Sequence, residues 1–252
     1  MTGAGWVCRL VRCRDGPAAA RCRVALSGLP IDHWKQPLPW PDVSLVMITV
    51  PDRTIPEVAS SLANTSVLDG TVVLHSSGLE DSQLLETCRT AGARVGSWHP
   101  LQCFPASPYE VSWDGIACAV EGDLEALAVG ESLAHQLGMR PWRIAAQDKP
   151  VYHAAASVAA NLPHVLIAFA RRLINRGGGR GAPPSDALDL LVRTSVDVAL
   201  VSRGLEGLTG PLARGDEDTV RRHLEALPPE VGAVYRAVAE LVSSHLADTV
   251  FD

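Results

Sequence analysis

Between residues 43 and 146, short apolar runs alternate with segments whose apolar positions recur at helical spacing. Apolar runs that are not interrupted by polar positions are typical of strands in a parallel sheet that is covered on both faces. The pattern predicts strands at 44–50, 71–75, 94–98, 115–120 and 140–145, and helices at 55–62, 81–91 and 124–137. This alternation predicts an α/β domain built on a parallel sheet.

After residue 148 the pattern changes to helices only, at 151–175, 185–204, 217–227 and 230–247. A loop rich in glycine and proline at 176–184 separates the first two, and Asp81, Ser185 and Asp216 are placed to cap helices. The predicted fold is a Rossmann-type α/β domain over 1–148, followed by an all-α C-terminal domain over 149–252, which would carry substrate and dimer contacts.

The amino-acid composition and net charge of the chain limit the kinds of molecule that it is expected to bind. The 252 residues are 47% hydrophobic and carry a net charge of -6, which disfavours nucleic acid and favours a small-molecule substrate. The apolar stretch 151–170 is interrupted by His153, Asn161 and His164, so no membrane segment is expected. The arginine-rich start lacks an apolar signal region, so a cytoplasmic location is expected. Six cysteines without a C-x-x-C pair are expected to be reduced thiols, and no metal site is predicted.

Ligands of open parallel sheets bind outside the carboxyl ends of the strands. Small residues at these ends would let a dinucleotide lie against the backbone, and hydroxyl groups could donate to a carboxamide or substrate oxygen. The alternative for the histidines there is that they are core or turn residues with satisfied nitrogens. The candidate cofactor-binding residues are Val50, Pro51, Asp52, Ser76, Ser77 and Gly78, and the candidate substrate-binding residues include His99 and Pro100.

Gly3 and Gly5 begin a possible dinucleotide fingerprint near the start of the chain. The third glycine position holds Cys8, and only Met1 and Thr2 precede the pattern. We therefore expect the strand that should lead into the turn to be missing or degraded, and nucleotide binding to be weak or absent. A chance match in a glycine-rich terminus is the alternative.

Five ordered segments, at 48–52, 74–78, 99–102, 151–155 and 208–216, carry a resemblance to a known family. The chain resembles Rossmann-like proteins with a C-terminal helical domain of uncharacterised function. Their architecture is similar to that of 6-phosphogluconate dehydrogenase, pyrroline-carboxylate reductase and ketopantoate reductase. The resemblance implies NADP(H), or alternatively NAD, on the first domain and a substrate pocket between the domains.

In those relatives, polar residues on the first long helix of the second domain face the nicotinamide. Here His153, Ser157 and Asn161 recur every four residues and form one polar stripe. His153 could transfer a proton, Asn161 could orient a carbonyl or a water, and Ser157 could contact substrate. Lys149 is interpreted as preceding the helix, so the lysine of the hydroxyacid relatives has no clear match. A buried structural network is the alternative.

The segment 209–216 is richer in glycine and charge than a simple connection requires. Arg214 could bind a substrate carboxylate through two parallel hydrogen bonds, and a surface ion pair is the equal alternative.

The leading hypothesis is an NADP(H)-dependent oxidoreductase that acts on a small carbonyl or imine acid, with Ser76, His153 and Asn161 near the reacting atoms. A non-catalytic Rossmann-like dimer that binds a nucleotide or metabolite is the alternative, and a degraded gene product is a third. A homodimer through the C-terminal helices is expected, because two of them are apolar on much of their circumference.

Overall fold

The computed structural model describes residues 8, 10–13, 29–33, 43–65, 67–104, 111–177, 186–202 and 204–248. Its strands are β1 (Val11–Cys13), β2 (Ile31–His33), β3 (Leu45–Ile48), β4 (Val72–His75), β5 (Arg94–Pro100), β6 (Ala117–Gly122) and β7 (Arg140–Arg143). Its α-helices are α1 (Ile55–Thr65), α2 (Glu86–Thr90), α3 (Leu124–Gln136), α4 (Lys149–Gly177), α5 (Ala187–Ser202), α6 (Glu217–Ala226) and α7 (Pro229–Asp248).

The main sheet has the strand order β3-β4-β5-β6-β7, and the pairs β3–β4, β4–β5 and β6–β7 are parallel. The fold is therefore the predicted Rossmann-like sheet followed by helices. The pair β5–β6 is antiparallel, which the sequence pattern did not predict. A parallel pair requires a crossover, usually a helix, and the described parts of this connection, 101–104 and 111–116, contain no helix.

Both faces of the sheet are covered, because alternate residues of its strands enter different cores. Val72 and Leu74 of β4 pack in a cluster with residues of α3, whereas Val73 packs in a cluster with residues of α1 and α2. The continuous apolar runs arise from this double burial.

Two short strands precede this sheet and were not predicted. The strands β1 and β2 form a separate parallel pair, in which Val11 aligns with Ile31. The glycines proposed as a dinucleotide fingerprint, Gly3 and Gly5, lie outside the described residues.

The chain divides into two compact units, residues 1–161 and 162–252. The first unit extends into α4, beyond the boundary expected at residue 148 from the change of pattern. In the second unit, α5 buries none of its residues, and α6 is capped by Asp216, whose carboxylate accepts a hydrogen bond from the Thr219 N–H at 3.1 Å.

One helical stretch in the described part of the chain, Ala146–Arg176, is long and apolar enough to cross a membrane. This indication rests on the length and composition of the helix alone. Core helices of soluble proteins satisfy the same two criteria, so the absence of a membrane segment remains a prediction.

Candidate active site

A row of polar side chains crosses three neighbouring strands close to the carboxyl end of β4. His75 of β4 is paired with Ser97 of β5, and Ser97 is paired with Glu121 of β6. Paired residues in a sheet point to the same face, so the three side chains are adjacent on one surface. All three are buried, which means that each polar group must find a partner inside the protein.

Glu121 finds its partners in the turn that follows β4. Its carboxylate accepts hydrogen bonds from the Ser82 N–H at 2.9 Å and from the Ser82 hydroxyl at 2.7 Å. The Ser97 hydroxyl is a third donor, at 3.1 Å. Three donors satisfy this buried carboxylate and tie β5 and β6 to the turn.

Lys149 closes this network from the start of α4. Its ammonium donates to the Ser97 hydroxyl at 2.9 Å and to the Ser77 carbonyl at 3.2 Å, and the side chain is fully buried. Burial lowers the pKa of Lys149, and the carboxylates of Glu121, Asp81, Asp52 and Glu80 oppose that shift. A lysine that is inaccessible to solvent is therefore bound directly to the segment that follows β4.

The interpretation that Lys149 precedes the helix was wrong. Lys149 is the first residue of α4, and Pro150 is the second. Proline is tolerated in the first turn of a helix, where its missing N–H leaves no hydrogen bond unmade.

The segment Ser76, Ser77 and Gly78 is held in one conformation by hydrogen bonds on several sides. The Ser77 hydroxyl accepts from the N–H groups of Leu79 at 3.2 Å and Glu80 at 3.0 Å. The Ser77 N–H donates to Nδ1 of His75, and Nε2 of His75 bonds the Asp81 carbonyl.

Because a carbonyl only accepts, Nε2 of His75 carries the proton and Nδ1 is the acceptor. The ring is therefore neutral, in accord with the lowering of its pKa by burial. His75 is a satisfied core histidine.

Three rings converge beside Gly78. A hydrogen bond of 2.6 Å joins His99 Nδ1 to the Tyr152 hydroxyl, and the rings of His99 and His153 meet edge to face with centroids 6.0 Å apart. A Cβ atom at position 78 would lie 2.7 Å from His153 Cδ2 and 2.8 Å from His99 Nε2. The absence of a side chain at Gly78 thus allows both imidazoles to pack against the backbone.

His99 is neutral in this environment. Burial, the Lys149 ammonium and His153 lower the pKa of His99 to about 4, and Asp52 opposes them. Burial also raises the pKa of Tyr152 to about 12. The cluster thus combines a neutral imidazole, a neutral phenol and the half-buried ring of His153, groups that can donate or accept one proton.

The other predicted site residues lie at the ends of β3, β4 and β5 and on α4. Ser76 donates its backbone N–H to the Ile48 carbonyl at 3.1 Å, which places it at the ends of β3 and β4. Pro100 is buried at the end of β5, and Ser157 is half-buried one turn after His153 on α4, whereas Asn161 is exposed. Val50, Pro51 and Asp52 follow β3, and the side chain of Pro51 is exposed.

Arg214 lies in the second unit and is exposed. That unit also has an open, mostly apolar groove of about 350 Å³ between α4, α6 and α7, at whose edge His223 Nδ1 and the Tyr235 hydroxyl share a hydrogen bond. This histidine–tyrosine pair is the polar part of an otherwise apolar lining, whereas the cluster beside Gly78 joins two histidines and a tyrosine to a buried polar network and is the better candidate for chemistry.

Sequence reasoning did not identify Lys149, Ser97, Glu121 or Tyr152 as site residues. A polar residue within an apolar strand, such as Ser97, is one signal that could have found them. Another is that Lys149 is one of only two lysines in a chain whose other basic residues are arginines.

Within the described ranges, no group of three or more His, Cys, Asp or Glu side chains is arranged to hold a metal ion. Cys8, Cys88, Cys103 and Cys118 are free thiols.

Comparison with known proteins gives two family matches. The model described as "Domain of unknown function (DUF2520)" matches residues 116–242, and the model described as "Rossmann-like domain" matches residues 38–100. No curated protein matches the sequence.

Solved structures with this architecture cover nearly the whole chain. A protein proposed to be an NADP oxidoreductase, from Bacteroides fragilis, aligns with a TM-score of 0.78 at 19% identity, over 95% of this chain and 89% of that chain. A protein from Thermotoga maritima aligns with a TM-score of 0.68 at 25% identity, over 96% and 91%. A reductive aminase from Aspergillus terreus, in complex with NADPH4, cyclohexanone and allyl amine, aligns with a TM-score of 0.55 at 14% identity, over 95% and 85%. These matches establish the fold.

Proposed function

Because this chain belongs to the DUF2520 family and carries a Rossmann-like domain before the matched region, we propose that it is a nicotinamide-dependent oxidoreductase. The proposed cofactor is NADP(H), with NAD as the alternative, and the proposed substrate is a small carbonyl or imine acid. The similar structures include a proposed NADP oxidoreductase and a reductive aminase, which supports this class of reaction.

The observation that carries the proposal is the convergence of His99, Tyr152 and His153 beside Gly78. In open α/β sheets this edge is where ligands bind. The small residues Ser76, Ser77 and Gly78 follow β4 there, and the missing side chain of Gly78 lets the two imidazoles approach this segment. The donor set therefore fits the reacting end of a hydride-transfer site.

The reduced cofactor would supply a hydride, and the chain must supply a proton to the oxygen or nitrogen of the substrate. His153 is the proposed proton donor, because its ring is half-buried and makes no hydrogen bond to a protein group within the described ranges. The neutral His99, held by Tyr152, would orient the substrate heteroatom. Ser76 and Asn161 remain proposed catalytic residues, and Pro100 and Ser157 remain proposed substrate contacts.

Substitution of His153 by Gln tests the proposal. NADPH binding is followed by fluorescence over a wide range of concentration, and NADPH oxidation is followed with a panel of 2-keto acids and cyclic imine acids. We expect His153→Gln to lower turnover by roughly 10²–10⁴, the effect of losing a general acid, with an almost unchanged melting temperature. The stability should hold because no hydrogen-bond partner of His153 within the described ranges is left unpaired.

His223→Gln is the matched control, because His223 lies in the second unit, and we expect it to leave turnover unchanged. Equal turnover in wild type and His153→Gln would contradict the role of His153. Binding of NADPH without turnover of any substrate would favour the non-catalytic binding protein. Absence of binding and turnover would refute the oxidoreductase.

We also propose that the protein acts in the cytoplasm as a homodimer.

A further inference from the structure

We propose that Lys149 is a positioning residue that fixes the Ser76–Gly78 segment and the neighbouring His99 for cofactor and substrate, through its buried bonds to Ser77 and Ser97. The inference rests on the proposed function, because that function defines what the segment binds. It assigns a role to a residue that the mechanism above does not use.

Lys149 contacts the segment from outside the strand and turn that contain it. Lys149 bonds the carbonyl of Ser77 at 3.2 Å, while the N–H and the hydroxyl of Ser77 are engaged by His75, Leu79 and Glu80. The lysine therefore supplies a contact to the segment from α4, outside the strand and turn that contain it. Loss of this contact would leave the buried Ser77 carbonyl without its lysine donor.

Placing the Lys149 ammonium at this position costs free energy. A buried cation is unfavourable, and a cation at the N-terminus of a helix also opposes the helix dipole. Glu121 balances the charge through Ser97, so β5, β6 and the Ser82 turn together support one ammonium group. An apolar residue would fill the same space without this network, which indicates that the charge itself has a use.

The charge of Lys149 also acts on His99. After burial, the Lys149 cation is the largest influence that keeps His99 unprotonated. The other groups that face His99 are His153 and Tyr152 of α4 and Asp52 after β3. A neutral His99 keeps one ring nitrogen free to accept a hydrogen bond, and a cation close to the site also favours an anionic substrate or a developing negative charge.

The experiment compares Lys149→Met, Lys149→Gln and Arg89→Met with the wild-type protein. Arg89→Met is the matched control, because Arg89 is a partly buried cation of the same unit that pairs with Asp123 and Glu86 and makes no bond to Ser77, Ser97 or Glu121 among the described residues. Three readouts are measured: NADPH affinity, hydrogen exchange of the Ser77, Leu79 and Glu80 amides, and the NMR titration of His99, assigned with His99→Asn.

We expect Lys149→Met to weaken NADPH binding roughly tenfold, to speed exchange of these amides and to raise the pKa of His99. Lys149→Gln retains a hydrogen-bond donor without charge, so it should restore amide protection in part while the pKa of His99 stays raised. Arg89→Met should change none of the three readouts beyond its effect on global stability. If Lys149→Met does not fold, Lys149→Gln alone carries the charge test.

The outcomes separate this inference from the proposed function. If the wild-type protein binds NADPH and Lys149→Met matches it in affinity, amide exchange and His99 titration, the positioning role is overturned and the proposed function stands. If the wild-type protein does not bind NADPH, the proposed function fails. In that case unchanged amide exchange and His99 titration in both Lys149 variants would also overturn the positioning role, and changes in both would support it.

Discussion

Two histidines at adjacent strand ends have different roles because their ring nitrogens meet different partners. His75 is fully buried, and both of its nitrogens are satisfied by backbone groups within its own turn. His99 is bound at one nitrogen by Tyr152 and approaches Gly78 with the other. The sequence could place both residues at strand ends, but it could not distinguish them, because the partner of each is set by the turn geometry and by α4.

The packing of His99 and His153 against Gly78 can be tested by substitution. Gly78→Ala places a Cβ atom within 2.8 Å of both imidazoles, so the rings of His99 and His153 must both move. We expect a loss of stability of about 1–3 kcal/mol, as for overpacking in a core, together with a loss of NADPH-dependent turnover. Denaturant unfolding and the turnover assay measure the two effects.

Gly232→Ala is the control for that substitution. Gly232 lies in α7, and a Cβ atom there would meet its nearest neighbours at an ordinary 3.9 Å. The same substitution should therefore stabilise the protein by about 0.5–1 kcal/mol through helix propensity. A Gly78→Ala variant as stable and active as the wild type would show that the rings are not packed against position 78 in solution.

For the helices and strands, the local spacing of apolar positions determined most of what could be predicted. The helix predicted at 124–137 is Leu124–Gln136, and the strand predicted at 71–75 is Val72–His75, because continuous burial and helical spacing are visible in the sequence itself. The antiparallel direction of β6 and the position of Lys149 in the buried polar network were not predictable in this way. Both depend on contacts between distant residues, such as the hydrogen bond from Lys149 to Ser97, which local periodicity does not encode.

The start of α6 gives a prediction that depends on pH. Hydrogen bonds from the N–H and hydroxyl of Thr219 hold the pKa of Asp216 below its usual range. The resulting stabilisation is present above the unfolded pKa and is lost as the pH falls through the lower folded value. We expect Asp216→Asn to lower the melting temperature at neutral pH, and the gap to the wild type to narrow below about pH 4.

Glu217→Gln, in the first turn of the same helix, is the control, because it removes a carboxylate but leaves the cap intact. Its effect on the melting temperature should be smaller. A constant gap between Asp216→Asn and the wild type at all pH values would exclude the titration of Asp216 as the cause.

At the scale of the whole molecule, the exposed apolar residues of the second unit support the prediction of a homodimer. Leu190, Leu200 and Val201 of α5 are 74%, 71% and 83% exposed, and that helix has no buried residue. Apolar surface of this extent on one helix is typical of an association face. We expect light scattering at micromolar concentration to give the mass of a dimer, and Leu190→Glu with Leu200→Glu to shift it to that of a monomer.

A monomeric mass for the wild type would contradict this prediction. The control is Leu124→Glu, because Leu124 is 75% exposed on α3 of the first unit and should leave the dimer intact.

The hydrogen bonds of Lys149 have a consequence for modularity. The change of pattern at residue 148 suggests a chain of two interchangeable parts, yet the first compact unit continues to residue 161. A sheet domain separated at residue 148 would keep the buried Glu121 and lose the cation that balances it. An exchange of the helical part between such proteins would therefore keep the charges of the sheet balanced only if the first turn of α4 stayed with the strands.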